Sequence, residues 1–317
     1  MKVLIAPLNW GLGHATRCIP IIYRYLEQGD EVVLAGDGDS LQLLKRRFPE
    51  LRAIDLPSLE LRYTTNAQQR GFYFRAIWLL LRFTIADYYY LQKILSIEHF
   101  DLVISDNRFG LFSRSTHSVY ITHQLYPILP KRLRIFQPIA RMLHACIYKR
   151  YDEVWVPDYS DLLQNLSGEL SHGGSFDQHA KYIGPLSRFS LTIPGRILNA
   201  NQRNAKYSVL AILSGLEPQR TMFEQQILQR FFGMSDDVLL VRGKIGEPHT
   251  IIHKGNITIM PSISDDEMIA AAEHASTIIA RSGYSTIMDL EMLGMLHKAE
   301  LHPTPGQSEQ EYLAKLH

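Results

Sequence analysis

The opening of the chain constrains its fold more than any other stretch. Residues 2–7 are a short apolar run closed by a turn, which predicts a buried strand. A glycine-containing loop occupies residues 9–13. Ile19, Ile22, Tyr25 and Leu26 then recur at helical spacing until Gln28-Gly29-Asp30 stops the pattern. Residues 31–35 predict a second strand, followed by a turn at 36–40. Parallel neighbouring strands need a crossover, and a helix supplies one, so this order predicts a parallel, doubly wound α/β sheet. Further strands are expected at 101–105, 118–122 and 153–157.

A second set of apolar runs begins at 207–213 and continues at 238–242, 257–260 and 277–280. Before it, residues 172–175 and 193–204 are rich in Gly, Pro, Asn and Ser, which predicts loop or linker. A boundary is therefore expected near residue 190, giving domains 1–190 and 191–317. A length of 317 residues suffices for two such cores. The last residues, 313–317, lie within a helical pattern, so the second domain is expected to be cut short at its end.

Composition narrows the partners. A formal net charge of +1 lacks the basic footprint of a nucleic-acid binder. The two cysteines, Cys18 and Cys146, have neither metal-ligand nor disulfide-framework spacing, which suits a reducing, cytoplasmic setting. The run at 3–6 is too short for a signal peptide. The best apolar stretch, 76–81, is closed by Arg75 and Arg82, too short to span a bilayer.

Three segments carry candidate chemistry. The first is Asn9-Trp10-Gly11-Leu12-Gly13-His14-Ala15-Thr16-Arg17, at the carboxyl end of the first strand, where open α/β sheets place ligands. A dinucleotide fingerprint fails there because Thr16 stands at the third glycine position, although Asp37 follows the second strand. His14 is expected in the loop, near a helix N-terminus that disfavours its protonation, where it could take a proton from an attacking hydroxyl. A purely turn-forming role is the alternative.

The second segment runs from Arg281 through Ser282, Gly283, Tyr284, Ser285 and Thr286 to Asp289, after the strand at 277–280. It opens a helix with Ile287, Leu290 and Leu293 on its core stripe and Gly294 as its stop. Free N–H groups at Tyr284, Ser285 and Thr286 would face a bound anion, and the helix dipole favours a diphosphate there. Asp289 shares a face with Ser285 and would suit ribose hydroxyls. Ser285 as an ordinary cap and Asp289 as a first-turn acid are the structural alternatives. The third segment is Pro303-Thr304-Pro305-Gly306-Gln307-Ser308-Glu309-Gln310, a turn followed by a polar helix start.

In register, these segments resemble the glycosyltransferase family 28 pattern of the MurG-like enzymes, which transfer N-acetylglucosamine. Gly11, Gly13 and His14 match the N-terminal motif. Ser282, Gly283, Thr286, Asp289 and Gly294 match the donor motif, and Glu309-Gln310 the paired residues that follow it. Fainter likenesses are Thr122-His123-Gln124, Gly184-Pro185 with Arg188, and Ser214-Gly215. The resemblance implies two Rossmann-like, doubly wound domains facing across a cleft, the GT-B architecture. It also implies an inverting, metal-independent transferase using a UDP-sugar.

By the same resemblance, Ser214, Gly215 and residues 282–286 would meet the donor, Asp289 its ribose, and Glu309 and Gln310 the ribose or sugar; Arg220, in the loop after Ser214-Gly215, is a further donor-binding candidate. His14 and His123 would be catalytic, with Gly11, Gly13, Arg17 and Gln124 lining the acceptor or phosphate loop. Read from its own place after the strand at 101–105, Asp106 is a second base candidate, with a turn role as the alternative. The acceptor would be lipid-linked or a glycan. Residues 261–264 lack the aromatic that often stacks on uracil in this family, and residues 217–220 are unlike the family loop. The run from Gly11 to Cys18 also resembles a nucleotide-sugar hydrolase motif. A hydrolase, a 2-epimerase or a non-catalytic sugar-nucleotide-binding protein are the rival readings.

Asp37-Gly38-Asp39 matches a metal–diphosphate motif of another glycosyltransferase architecture, while the histidines have no close metal-ligand spacing. Residues 71–95 combine Phe, Tyr, Trp and Leu with basic side chains. Residues 128–151 carry Lys131, Arg132, Arg134, Arg141, Lys149 and Arg150 and no acidic residue. Both would suit a peripheral contact with an anionic membrane surface; helices packed on the sheet with solvated basic edges are the alternative reading.

Overall fold

The computed structural model describes residues 1–58, 72–190, 207–244, 248 and 250–317, and side chains from 78 onward in the helix that opens at Phe72. The stretch 193–204, expected as a linker, lies outside the described residues, as do residue 71 and the side chain of Arg75. The chain divides into two compact units, Met1–Arg188 and Phe189–His317.

In the first unit the elements are β1 (Lys2–Pro7), α1 (Gly13–Glu27), β2 (Glu31–Gly36), α2 (Gly38–Arg47), β3 (Ala53–Asp55), α3 (Phe72–Ile97), β4 (Leu102–Asp106), β5 (His117–Ile121), α4 (Gln137–Tyr148), β6 (Glu153–Val156) and β7 (Ala180–Tyr182). The strands form one parallel sheet in the order β3-β2-β1-β4-β5-β6-β7. Alternate residues feed two faces, as strand geometry demands. Val3, Ile5, Val32, Leu34 and Ile104 pack under α1 and α2 through Ile19, Ile22, Leu41 and Leu44. Leu4, Ala6, Val33 and Val103 pack under α3 through Leu91. Tyr120, Val154 and Val156 pack under α4 through Tyr148. Each fully buried aliphatic side chain contributes roughly 2 kcal/mol.

The second unit contains β8 (Val209–Ile212), α5 (Gln219–Phe231), β9 (Val238–Val241), β10 (Ile252–Lys254), β11 (Ile257–Met260), α6 (Asp265–His274), β12 (Thr277–Arg281), α7 (Tyr284–Met292), β13 (Ala299–His302) and α8 (Ser308–Leu316). Its sheet order is β10-β11-β9-β8-β12-β13, with β10 antiparallel and the rest parallel. α5 covers one face through Phe223, Ile227 and Phe231, while α6 and α7 cover the other through Met268, Ile269 and Leu290. Ser264 and Glu267 form a capping box at the start of α6. Gly294, at φ +68, ends α7 in a Schellman turn: Met295 N–H donates to the Leu290 carbonyl at 2.8 Å and Gly294 N–H to that of Glu291 at 2.9 Å.

Two local expectations are corrected. Residues 38–40 open α2 instead of closing a turn, because Gly38 takes a left-handed φ of +53 and launches the helix. His14 sits in the first turn of α1, not in the loop before it: the Thr16 amide already donates to the Leu12 carbonyl at 2.9 Å.

Candidate functional site

Chain order fixes where each sheet opens to a ligand. From β1 the chain moves through α1 to β2 on one side; from β4 it moves to β5 on the other. The direction therefore switches between β1 and β4, and crevices form outside the carboxyl ends of strands at such points. In the second unit the switch lies between β8 and β12, which are followed by α5 and α7 on opposite faces.

At the first switch point Pro7 pairs with Asp106, so the loop leaving β1 and the end of β4 are neighbours. Asp106 is fully buried. The Arg17 Nε and Nη2 groups both donate to its carboxylate, a bidentate clamp. His14 Nδ1 lies 2.8 Å from Asp106 Oδ1, and 2.9 Å from Arg17 Nη2. A lone pair facing a charged carboxylate oxygen at that distance would be repelled. Arg17 Nη2 already donates to that same carboxylate oxygen. The proton therefore sits on His14 Nδ1, donating to Asp106, and Nε2 keeps its lone pair.

Arg17 Nη1 lies 3.1 Å from His123 Nδ1. A guanidinium can only donate, so His123 Nδ1 accepts, and the Gln124 side-chain nitrogen lies 3.4 Å from His123 Nε2. The structure thus brings together His14, Arg17, Asp106, His123 and Gln124. Gly11 and Gly13 bracket Leu12 just before His14, and Gly11 has a left-handed φ of +80.

The electrostatics separate the roles. Burial opposes charge on Asp106, but the adjoining Arg17 and His14 outweigh it and hold its carboxyl far below the usual carboxylate range. Through Oδ1 it holds the His14 ring in place. Burial first, then the Arg17 charge, pulls the His14 imidazole below the ordinary histidine range, with Asp106 opposing. Neutral His14, only 16% exposed, is the group able to accept a proton. Arg17, expected to meet a ligand, has its side chain buried against Asp106.

Asp37 is engaged by protein donors. Buried Arg108 donates to Asp37 at 2.7 Å and to Asp87 at 2.6 and 3.1 Å, and Ser58 and Asn9 also donate to Asp37. Among the described residues no cluster of His, Cys, Asp or Glu fits a metal ion.

At the second switch point, Gly283 caps α7. Ser282 is fully buried, and its hydroxyl donates to the Gln310 carbonyl at 2.8 Å, while the Gln310 side-chain oxygen accepts from Thr304 N–H at 2.8 Å. The second and third sequence segments are thereby tied together. The Tyr284 ring points into the core, whereas Ser285, Thr286 and Asp289 are half-buried. Asp289 falls in the second turn of α7, beyond the first-turn position considered for it, because the helix starts at Tyr284. Ser214 and Gly215, the latter at φ +96, form the loop after β8. Arg220 is engaged by Glu217 at 2.9 Å. Glu309 and Gln310 open α8. The sequence places Arg281 at the head of this segment without giving it a role; the structure buries it at the carboxyl end of β12.

No known family profile matches the sequence. An uncharacterized glycosyltransferase of Methanosarcina acetivorans is 21% identical, over 98% of this chain and 82% of that protein. The glycotransferase of kitacinnamycin superposes with a TM-score of 0.62 at 14% identity, covering 99% of this chain and 83% of its own. Acinetobacter baumannii MurG does so with a TM-score of 0.52 at 14% identity, covering 99% and 82%. The chain therefore has the two-domain, parallel-sheet fold of the GT-B glycosyltransferases, and the relatives it resembles along its length are glycosyltransferases.

Proposed function

We propose that this protein is an inverting, metal-independent hexosyltransferase that moves a sugar from a UDP-sugar, with N-acetylglucosamine the first to test, to a lipid-linked or glycan acceptor. The observation that carries the reading is the His14 Nδ1–Asp106 contact at the β1/β4 switch point, which leaves Nε2 as an acceptor. His14 Nε2 takes the proton of the acceptor hydroxyl as that oxygen bonds to the anomeric carbon. The bond from that carbon to the diphosphate oxygen breaks on the opposite face, inverting the centre and releasing UDP. His123 is held nearby by Arg17 Nη1. N–H groups heading α7 receive the diphosphate charge, and Asp289 holds the ribose.

The test is turnover of UDP-N-acetylglucosamine by the purified protein, with lipid-linked and glycan acceptors and with EDTA. Transfer that persists in EDTA and disappears in His14→Ala supports the reading. Free sugar formed without acceptor would make the protein a hydrolase, an isomerised donor an epimerase, and binding without turnover a non-catalytic protein.

The acceptor side of the proposal rests on α3 and α4, which pack on the same face of the first sheet. Their outer sides expose Trp78, Leu81, Ile85 and Tyr89 on α3, and Ile135, Phe136, Ile139, Met142 and Leu143 at and before α4. Lys131, Arg132, Arg134, Lys149 and Arg150 are exposed around the latter set, and Asp87 on α3 is turned inward to Arg108. An apolar stripe ringed by cations fits an anionic lipid surface. No helix among the described residues is long and apolar enough to cross a membrane.

A further inference from the structure

Arg281 ends β12 with its side chain on the α5 face, in the same parity as Ile279. It is 4% exposed. Nη1 donates to the Pro303 carbonyl at 2.8 Å and Nη2 to the Gln219 carbonyl at 3.2 Å, while the guanidinium stacks 4.0 Å from the centre of the Phe223 ring. Its Nε is buried without a hydrogen-bond partner, and among the described residues no carboxylate pairs with it. Burial alone lowers its pKa to about 10. A buried cation without a counter-charge is costly, and an unsatisfied buried group in a native fold calls for an explanation.

Its position supplies one. Gln219 is the first residue of α5, so the guanidinium lies at the positive end of that helix dipole, where a cation gains nothing from the helix. The next residues, Ser282 and Gly283, lead into α7, whose Gly283 and Ser285 amides have no backbone partner among the described residues. A Cβ added at Gly283 would meet nothing within 4 Å, so the space beside these amides is open. At the start of α5 the Glu217 carboxylate already accepts from the Thr221 amide, so the unbalanced positive groups at the β8/β12 switch point are the Arg281 guanidinium and the amides heading α7. Both are positive, and one anion would balance them.

We propose that Arg281 is the fixed positive charge of the donor diphosphate site: a positioning residue that pins the loops after β12 and β13 to the start of α5 and selects ligands by their phosphate charge. The inference rests on the nucleotide-sugar reading above and adds to it a residue and a basis for discrimination. An arginine used only to brace loops would act equally on every ligand of the site. A charge acting on the phosphates would act in proportion to their number.

Calorimetric titration of uridine, UMP and UDP into wild type, Arg281→Met and Arg281→Lys separates these cases, with the thymidine series run in parallel. The expected result is a loss in Arg281→Met of about tenfold or more for the diphosphate, less for the monophosphate and within about twofold for the nucleoside. Arg281→Lys should keep the wild-type order of preference, and it carries the comparison if the Met variant does not fold. Equal losses for all three ligands, or a lysine variant whose preference for the diphosphate has vanished while the nucleoside still binds, would overturn this inference alone. Failure of wild type to bind any of the nucleotides would overturn the nucleotide-sugar reading and this inference with it.

Discussion

His14 Nδ1 lies 2.8 Å from Asp106 Oδ1, and that carboxylate is clamped by Arg17, one turn further along the same helix. The imidazole is oriented by a group whose own charge is already balanced. His14→Ala should therefore lower kcat by about 10²- to 10⁴-fold while donor affinity changes less than threefold. Steady-state kinetics with a donor titration check this; an unchanged kcat would remove His14 from the chemistry.

The same geometry predicts a pH profile. Burial and Arg17 pull His14 below the ordinary histidine value, so the base form persists to lower pH. The acid limb of kcat/KM should fall below about pH 6.5, the unperturbed histidine value. A limb at or above that value would contradict the environment described for His14.

Arg108 sits fully buried between Asp37 and Asp87. Arg108→Met would leave two buried carboxylates without a cation and should cost about 3–5 kcal/mol in urea unfolding. Burial foremost, with Asp37 adding and Arg108 opposing, raises Asp87 from 3.8 to about 6. The folded protein thus binds a proton there that the unfolded chain has released. The contribution of Asp87 to stability is greatest below about pH 4 and is lost as pH rises toward 6. Asp87→Asn should flatten that segment of the stability curve, measurable as urea midpoints between pH 4 and 7.

Asp289→Ala should weaken UDP binding about tenfold and leave the thermal midpoint close to wild type, because its side chain is half-buried. Equal UDP affinity in that variant would exclude the ribose contact.

Ile139 and Leu143 are 51% and 57% exposed, one turn apart on α4. Ile139→Asp with Leu143→Asp should fold as wild type and lose co-sedimentation with phosphatidylglycerol vesicles. Wild type that fails to sediment with anionic vesicles would exclude the lipid-facing role of α3 and α4.

Some of this was legible in the sequence and some was not, for physical reasons. β1, α1 and β2 declare themselves because each buries one continuous apolar set with a clean period. β3 and β7 are three-residue strands, half-exposed, and leave no periodic trace. α2 has only Leu41 and Leu44 as buried aliphatics among polar residues, so its glycine read as a turn. The glycine, histidine and acidic positions near strand ends could be picked out one by one. Their mutual contacts could not: Arg17 and Asp106 are 89 positions apart, and no local pattern announces a long-range ion pair. Arg281 heads a segment the sequence picks out, but only its burial without a paired carboxylate in the fold sets it apart.

Asp106 and Arg108 stand two residues apart at the end of β4 and face different partners, His14 and Arg17 for one, Asp37 and Asp87 for the other. Any drift of that short stretch of backbone strikes both the proton-accepting histidine and the buried ion cluster. Natural variation there is answerable at once to turnover and to folding, so this corner should change slowly among relatives. New acceptors would be accommodated elsewhere, on surfaces such as the outer sides of α3 and α4, where a side chain can be exchanged without unsettling either.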